Sequence, residues 1–159
     1  MSEKLQGLQD AAGKDDTREF VTTVIAGQLF GIPVLKVQDV LGPQRITRIP
    51  LAPAWIAGAL NLRGRIVTAI DVRSRLGLAK SEQGEQVSIV VEHNTELYSL
   101  LVDEVGEVMS FPAAAVEPNP TTLDASWREI STGIVRLDER LLVIVDVARM
   151  FDLAQLEAA

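Results

Sequence analysis

The 159-residue chain contains no cysteine, a single histidine and few aromatic residues. Without cysteine it can form neither disulfides nor thiolate metal sites, a composition typical of a reducing compartment. Aromatic residues make up only 4% of the sequence, against 47% for all hydrophobic residues, so a core must consist chiefly of Val, Ile, Leu and Ala. This composition predicts a packed globular chain and argues against disorder of the whole sequence.

Long hydrophobic runs are also missing. The N-terminal segment MSEKLQGLQDAAGKDD has no apolar run of the signal-peptide type, and no stretch approaches the roughly 18–20 apolar residues that span a bilayer. Residues 1–18 are polar and show no sustained periodicity, so we expect a flexible tail there and a short second tail at residues 154–159. We expect a soluble, cytoplasmic protein without direct membrane insertion.

Residues that carry catalysis are scarce. His93 is the only imidazole and stands in a predicted turn, which leaves no partner for an acyl-transfer triad or a histidine metal site. The segment 13–15 lacks the upstream glycine and the following Ser or Thr of a phosphate-binding loop. The acidic pairs 103–104 and 138–139 are adjacent in sequence and would point to opposite faces of a strand. We therefore expect a binding protein, not an enzyme, with no metal and no cofactor.

Charge is distributed unevenly along the chain. The formal net charge is −7, yet the window from Lys36 to Lys80 contains eight basic residues and two acidic ones. A dipolar surface of this kind favours steered docking with charged protein partners. Nucleic acid fits less well, because the chain is acidic overall and has few aromatic residues for base stacking. A small nucleic-acid-binding barrel that uses the basic window remains the alternative from another class.

The hydrophobic pattern indicates many short strands and few helices. Runs that are β-branched or alternate with period two, separated by Gly and Pro, predict strands at 20–26, 29–34, 37–41, 45–49, 66–70, 87–92, 97–102, 105–109 and 141–145. Helical segments are predicted at 54–60, 71–76 and 146–151, with Asp71 as the cap of the second. The segments 77–86 and 112–120 are predicted loops. This spacing is typical of barrels or a sandwich and not of a parallel α/β sheet.

The two halves of the chain repeat one pattern. At an offset of 68 residues, 29–34 matches 97–102 and 37–41 matches 105–109. At an offset of 75, Gly58 matches Gly133, and 65–72 matches 140–147 with Asp71 on Asp146. Glycine, arginine and aspartate agree in register with the apolar positions, which indicates two copies of one structural unit.

One turn breaks this repeat. The sequence 61–65, NLRGR, stands against 136–140, RLDER, so that Arg63 and Gly64 are replaced by Asp138 and Glu139. A turn glycine beside an unmatched arginine suits a recognition loop, because the guanidinium offers forked donors to carboxylates and carbonyls. The alternative is an ordinary hairpin turn with a solvated arginine.

Several segments resemble the CheW-type chemotaxis coupling proteins, namely FGIPVLKVQDV at 30–40, ITRIP at 46–50 and GALNLRGRIV at 58–67. The likeness continues through 102–108 and 142–146 and covers roughly residues 19–153. It implies an all-β fold of two intertwined SH3-like five-stranded β-barrels with a few short helices. The first barrel would comprise mainly residues 32–83, and the second mainly 97–145 plus 19–31.

The resemblance also implies a function and partners. Such an adaptor joins the cytoplasmic signalling tip of transmembrane chemoreceptors to the regulatory domain of the chemotaxis histidine kinase, in membrane-associated arrays. We therefore expect a monomer in isolation that is recruited to such arrays, with kinase contacts on the first barrel at residues that the motifs do not define. An adaptor of a parallel pathway, such as pilus motility, is the alternative with the same fold.

In the family the receptor tip docks in the groove between the barrels. Carried over by motif, the residues that would line this groove are Val37, Asp39, Gly58, Arg63, Val105 and Val108. Asp39 stands where the family often has glutamate, so its charge is retained with a shorter reach. Ser99 stands where related sequences often have glycine. Exposed valines suit a hydrophobic helix-in-groove contact, and burial in the core is the alternative for Val105 and Val108.

Overall fold

The computed structural model describes residues 16–79 and 86–151, which form two β-sheets with a few short helices. The expected tail at 154–159 and most of that at 1–18 lie outside the described residues, and residues 17 and 18 already belong to the first strand. The strands are, in chain order, β1 (Thr17–Ile25), β2 (Gln28–Pro33), β3 (Val37–Leu41), β4 (Ile56–Leu62), β5 (Arg65–Asp71), β6 (Val87–His93), β7 (Glu96–Val102), β8 (Glu104–Pro112), β9 (Val116–Glu117), β10 (Ser131–Arg136) and β11 (Leu141–Val145). The helices are α1 (Val72–Arg75), α2 (Ala125–Ile130), single 3-10 turns at Val34–Lys36 and Ala113–Ala115, and residues 147–151.

The strands form two mixed sheets. Sheet A has the strand order β8-β1-β2-β11-β10-β9, and sheet B has the order β3-β6-β7-β5-β4. Most neighbours are antiparallel, and each sheet contains one parallel pair, β2 with β11 in sheet A and β5 with β7 in sheet B. The expected all-β class is confirmed in the form of two sheets. No helix of the described residues is long and apolar enough to cross a membrane.

The two repeats exchange their first hairpins. Sheet B contains β3, β4 and β5 of the first repeat together with the β6–β7 hairpin of the second. Sheet A contains β8, β9, β10 and β11 of the second repeat together with the β1–β2 hairpin of the first. The parallel pairs keep one register, since Thr68 opposite Tyr98 in sheet B corresponds to Val143 opposite Phe30 in sheet A. Residues 97–102, which we expected in the second unit, therefore pair in the sheet of the first.

Buried side chains form three groups. The largest, here called the shared core, takes residues from both sheets and includes Ile25, Phe30, Ile32, Ile70, Ile89, Val91, Leu100, Val102, Val143 and Val145. Each sheet also buries its opposite face against a smaller group, in which Leu60, Val67 and Ala69 of sheet B correspond through the repeat to Val135, Leu142 and Ile144 of sheet A. Burial of each of the Val, Leu, Ile and Phe side chains contributes about 1.5–3 kcal/mol, so the repeated apolar pattern accounts for both sheets.

The helix predicted at 54–60 is wrong, because these residues form most of β4. Gly58 adopts a φ of +150° at a bulge in the pairing of β4 with β5. The backbone carbonyl of Thr47 lies so close that a Cβ at Gly58 would overlap it. A short apolar run has no periodicity that separates a strand from a helix. The strand predicted at 45–49 is reduced to one bridge, in which Thr47 and Ala59 exchange two N–H···O hydrogen bonds of 2.8 Å.

The same bulge recurs in the second repeat, in β10, a strand that was not predicted from the sequence. The pairing of β10 with β11 shifts between Ser131 and Gly133, and a Cβ at Gly133 would lie 2.7 Å from the carbonyl oxygen of Glu117. That carbonyl belongs to β9, inside the predicted loop 112–120. Matched glycines thus let a neighbouring backbone approach each sheet.

Candidate protein-docking site

Arg63 lies at the tip of a tight hairpin. The two-residue turn Arg63-Gly64 joins β4 to β5, and both residues have positive φ values, +52° and +87°. Such a turn matches the right-handed twist of the strands it connects. The side chain of Asn61 accepts a 2.8 Å hydrogen bond from the Gly64 N–H and fixes the turn. The turn therefore fixes the backbone at Arg63, while the Arg63 side chain itself is 79% exposed.

The Arg63 guanidinium contacts the carboxylate of Asp39. Its Nη2 donates to Oδ2 over 3.1 Å, and the Asp39 side chain is 28% exposed. Asp39 lies on β3 and Arg63 follows β4, so this contact joins the two edge strands of sheet B. An ion pair this exposed contributes about 0–1 kcal/mol. The pair therefore orients the Arg63 side chain, and breaking it would cost little free energy.

A pocket of about 170 Å³ opens beside this ion pair. Its charged and polar rim comprises Gln38, Asp39, Arg63 and Arg65, and its apolar lining is supplied by Leu62, Val90 and Leu97. The pocket thus combines an apolar lining with two arginines, which is enough space and charge for one small apolar side chain next to an acidic group.

Because of a bulge in β3, the side chains of Val37 and Asp39 lie on opposite faces of sheet B, although residues two apart on a regular strand share a face. Val37 pairs with Val91 and Val40 pairs with Ile89, whereas Asp39 pairs with Val90. Since Val91 and Ile89 belong to the shared core, cross-strand pairing places Val37 and Val40 on that face. Asp39 follows Val90 to the opposite face, where it meets Arg63.

A second bulge gives β8 the same arrangement. Val105 pairs with Thr23 and Val108 pairs with Val21, two residues away on β1. Residues two apart on a regular strand share a face, so Val105 and Val108 also share one, although three positions separate them. Val105 is partly buried against the shared core and Val108 is 53% exposed.

The predicted residues thus occupy three places. Asp39 and Arg63 are in direct contact. Val37 and Val105 pack against the shared core, and Val105 shares a face of β8 with the exposed Val108. Gly58 is buried at its bulge, so the structure gives it a packing role, and its place in a groove stays a prediction.

Sequence reasoning missed one exposed valine. Val40 is 43% exposed and lies on the same face as Val37. It stands 68 residues before Val108, so the repeat itself contained the signal that could have identified it.

Comparisons with known proteins decide the family. The family model described as the CheW-like domain matches residues 19–155. The chain belongs to the CheW-like family. It is 33% identical over 147 residues to the chemotaxis protein CheW of Klebsiella aerogenes, covering 92% of this chain and 89% of that protein. It is 30% identical over 120 residues to the protein PilI of Pseudomonas aeruginosa, covering 75% of this chain and 67% of that one.

A solved structure agrees with this assignment. The scaffolding protein TtCheW from Thermoanaerobacter tengcongensis superposes with a TM-score of 0.76 at 31% identity, covering 85% of this chain and 92% of that one. The resemblance drawn from the motifs is thereby confirmed.

This CheW-like chain contains a second ion pair that the motifs did not single out. Arg73 of α1 donates two hydrogen bonds to Asp103, of 2.9 Å from Nε and 2.6 Å from Nη2. Asp103 also accepts a 2.9 Å bond from the N–H of Ala26, in the turn between β1 and β2. The hydrogen bond from Arg73 lowers the pKa of the Asp103 carboxyl. Because Asp103 directly precedes β8, these bonds anchor the bulged strand of the second repeat to the helix and the hairpin of the first.

His93 has a structural contact in this CheW-like fold. Its ring stacks on Phe151 with a centroid distance of 5.1 Å. Within residues 16–79 and 86–151, no group of three or more His, Cys, Asp or Glu side chains is placed to hold a metal ion.

Proposed function

We propose that this chain is an adaptor that couples chemoreceptors to the chemotaxis histidine kinase. Membership of the CheW-like family supports this function, as do relatives named chemotaxis protein and scaffolding protein. The observation that carries the proposal is the placement of Val40 and Val108 by two matching bulges. Exposed valines beside a shared core suit the apolar face of a partner helix.

The docking surface that we propose comprises Val37, Val40, Val105 and Val108. Arg63, which meets Asp39 on the opposite face of the edge strand β3, is proposed as a second contact beside this surface. The valines would contact apolar side chains of the receptor signalling tip. Arg63 would exchange its exposed bond with Asp39 for a carboxylate or carbonyl of the partner. The role is binding and not catalysis, and the chain would act in the cytoplasm, monomeric in isolation and recruited to membrane-associated receptor arrays.

We also propose that each sheet closes into an SH3-like barrel. In sheet B the support is the Arg63–Asp39 contact, since it joins the two edge strands of that sheet. Strand pairing would then assign residues 37–79 and 86–102 to the first barrel, and residues 17–33 with 104–145 to the second. The regulatory domain of the kinase would dock on the first barrel, outside the docking surface.

A parallel chemosensory pathway is the second candidate. The likeness to PilI, at 30% identity, favours it. The two candidates share one surface and differ in the receptor, so binding to receptor fragments of each pathway in parallel separates them.

Arg63→Asp tests the proposal directly. The substitution should reduce binding of receptor signalling-tip fragments by at least roughly tenfold, as expected when a charge-assisted contact is lost and repulsion is added. Arg136→Asp is the matched control, because Arg136 is 66% exposed and forms a similar 3.1 Å ion pair with Glu117 on sheet A. Equal binding by the two variants would contradict the proposed site.

A further inference from the structure

We propose that Thr22 and Thr23 are positioning residues for the docking surface. Their buried hydroxyl groups hold the bulge of β8 in the form that places Val105 and Val108 on one face. This inference rests on the proposed function, because it explains how part of that surface acquires its shape.

Both threonines are buried and both are hydrogen-bonded to β8. Thr22 is 3% exposed and its hydroxyl donates to the carbonyl of Glu107 over 2.6 Å. Thr23 is fully buried and its hydroxyl donates to the carbonyl of Glu104 over 2.7 Å. Glu104 directly precedes Val105, and Glu107 directly precedes Val108. Each hydroxyl therefore fixes the peptide group that leads into one of the two valines.

The bulge explains why hydroxyl groups are needed here. Val21 pairs with Val108 and Thr23 with Val105, so Gly106 and Glu107 together stand opposite the single residue Thr22. A bulge of this kind takes a residue out of the regular ladder of hydrogen bonds. Thr22 and Thr23 are adjacent and point to opposite faces of the sheet. Their hydroxyls consequently brace the irregular segment from both sides.

Gly106 fits the Thr22 hydroxyl closely. A Cβ at Gly106 would lie 2.6 Å from Thr22 Oγ1, too close for any real contact of a Cβ atom. The hydroxyl and the bare glycine backbone therefore occupy complementary space. A side chain at this position would push the Thr22 hydroxyl away from the Glu107 carbonyl.

The first repeat does not contain this brace. At the offset of 68, Thr22, Thr23 and Gly106 correspond to Val90, Val91 and Gln38. Strand β3 has its own bulge at Gln38, but the residues beside that bulge on β6, Val90 and Val91, have no hydroxyl group. The side-chain contact near this bulge is the exposed ion pair of Asp39 with Arg63. Since the bulge forms in both repeats, the threonines are not required for the bulge to exist. We propose that they fix the geometry of the bulge in β8, which places Val108, the more exposed of the two valines Val40 and Val108.

The test replaces the hydroxyl groups at constant side-chain volume. The variant Thr22→Val/Thr23→Val should fold, exchange its amide hydrogens at residues 105–108 faster, and bind receptor signalling-tip fragments roughly tenfold more weakly, as expected when two hydrogen bonds are lost. Thr68→Val, at a partly buried position of β5, is the control for replacing a strand threonine by valine away from β8, and it should bind normally. Thr22→Ser/Thr23→Ser retains both hydroxyls and should restore wild-type binding.

Two further variants separate the possible failures. If the double valine variant does not fold, Gly106→Ala serves instead, because its Cβ displaces only the Thr22 hydroxyl, and the same faster exchange and weaker binding are expected. Val108→Asp reports on the surface itself. Wild-type binding by Val108→Asp would overturn the proposed docking surface. Loss of binding by Val108→Asp, together with wild-type binding by the double valine variant or by Gly106→Ala, would overturn the role of the threonines alone.

Discussion

Arg73 grips both carboxylate oxygens of Asp103, over 2.9 and 2.6 Å, and so joins the helix that closes the first repeat to the start of β8. The two side chains are only 16% and 13% exposed, and the Ala26 N–H donates to the same carboxylate. One residue thus connects α1, β8 and the β1–β2 hairpin, which sheet A receives from the other repeat. The hydrogen bonds of Asp103 therefore stabilise the arrangement in which the two repeats exchange hairpins.

Loss of this connection should destabilise the fold. We expect Asp103→Ala to lower the free energy of unfolding by about 1–3 kcal/mol, because Arg73 and the Ala26 N–H both lose a partner in a mostly buried place. Urea denaturation measures the change. Arg136→Ala breaks an exposed pair and should cost at most about 1 kcal/mol; an equal loss in both variants would contradict the assigned role of Asp103.

The contribution of Asp103 should depend on pH. Its folded-state pKa is lowered from the ordinary value of 3.8, first by the hydrogen bond from Arg73. A carboxyl with a lowered folded pKa stabilises the protein above its unfolded pKa, and this stability is lost as the pH falls through the folded value. The difference in unfolding free energy between wild type and Asp103→Asn should therefore be constant near neutral pH and shrink below 3.8. Urea midpoints measured over that range check it, and a difference that persists at the lowest pH would speak against the ion pair.

The two matched glycines should tolerate no side chain. Gly58→Ala places a Cβ against the Thr47 carbonyl at a φ of +150°, and we expect a loss of about 3 kcal/mol or more. Gly27→Ala is the control, because its φ is also positive but nothing lies within 4 Å of the added Cβ, so only about 1 kcal/mol of backbone strain should appear. Thermal unfolding compares the two, and similar losses would show that the close approach to Thr47 is unimportant.

The exposed valines should affect binding and not stability. Val40→Asp and Val108→Asp replace side chains that are 43% and 53% exposed, so each should change the unfolding free energy by about 0.5 kcal/mol or less. Each should also abolish detectable binding of receptor fragments, because a charge would be buried in an apolar contact. Ile66→Asp is the control, since Ile66 is 72% exposed and lies outside the docking surface. If Ile66→Asp reduced binding and the two valine variants did not, the proposed docking surface would be wrong and the contact would lie near Ile66 on sheet B.

The sequence predicts the repeat and its local chemistry well. Asp71 caps α1 through a bond from the Ser74 N–H, and Asp146 accepts from Ala148 in the corresponding place. Both features depend on neighbours in sequence, which a local pattern contains. The turn at Arg63 was predictable for the same reason.

Long-range features were not predictable from local pattern. The exchange of hairpins depends on which distant strand pairs with β2 and β5, and the repeat fits either copy equally well. The bulges of β3 and β8 change the face of every following residue by one position, so the face of each side chain depends on the strand pairing, which a local pattern does not contain. The contact of Thr22 with β8 therefore became visible only with the register, whereas Val40 could have been identified from the repeat.

The most direct test of the adaptor function is co-sedimentation of the histidine kinase with receptor signalling fragments, with and without this chain. We expect the kinase to sediment fully only when the chain is present, and Arg63→Asp or Val108→Asp to lower the recovery of both the chain and the kinase. Full recovery of the kinase without the chain, or unchanged recovery with both variants, would contradict the adaptor function.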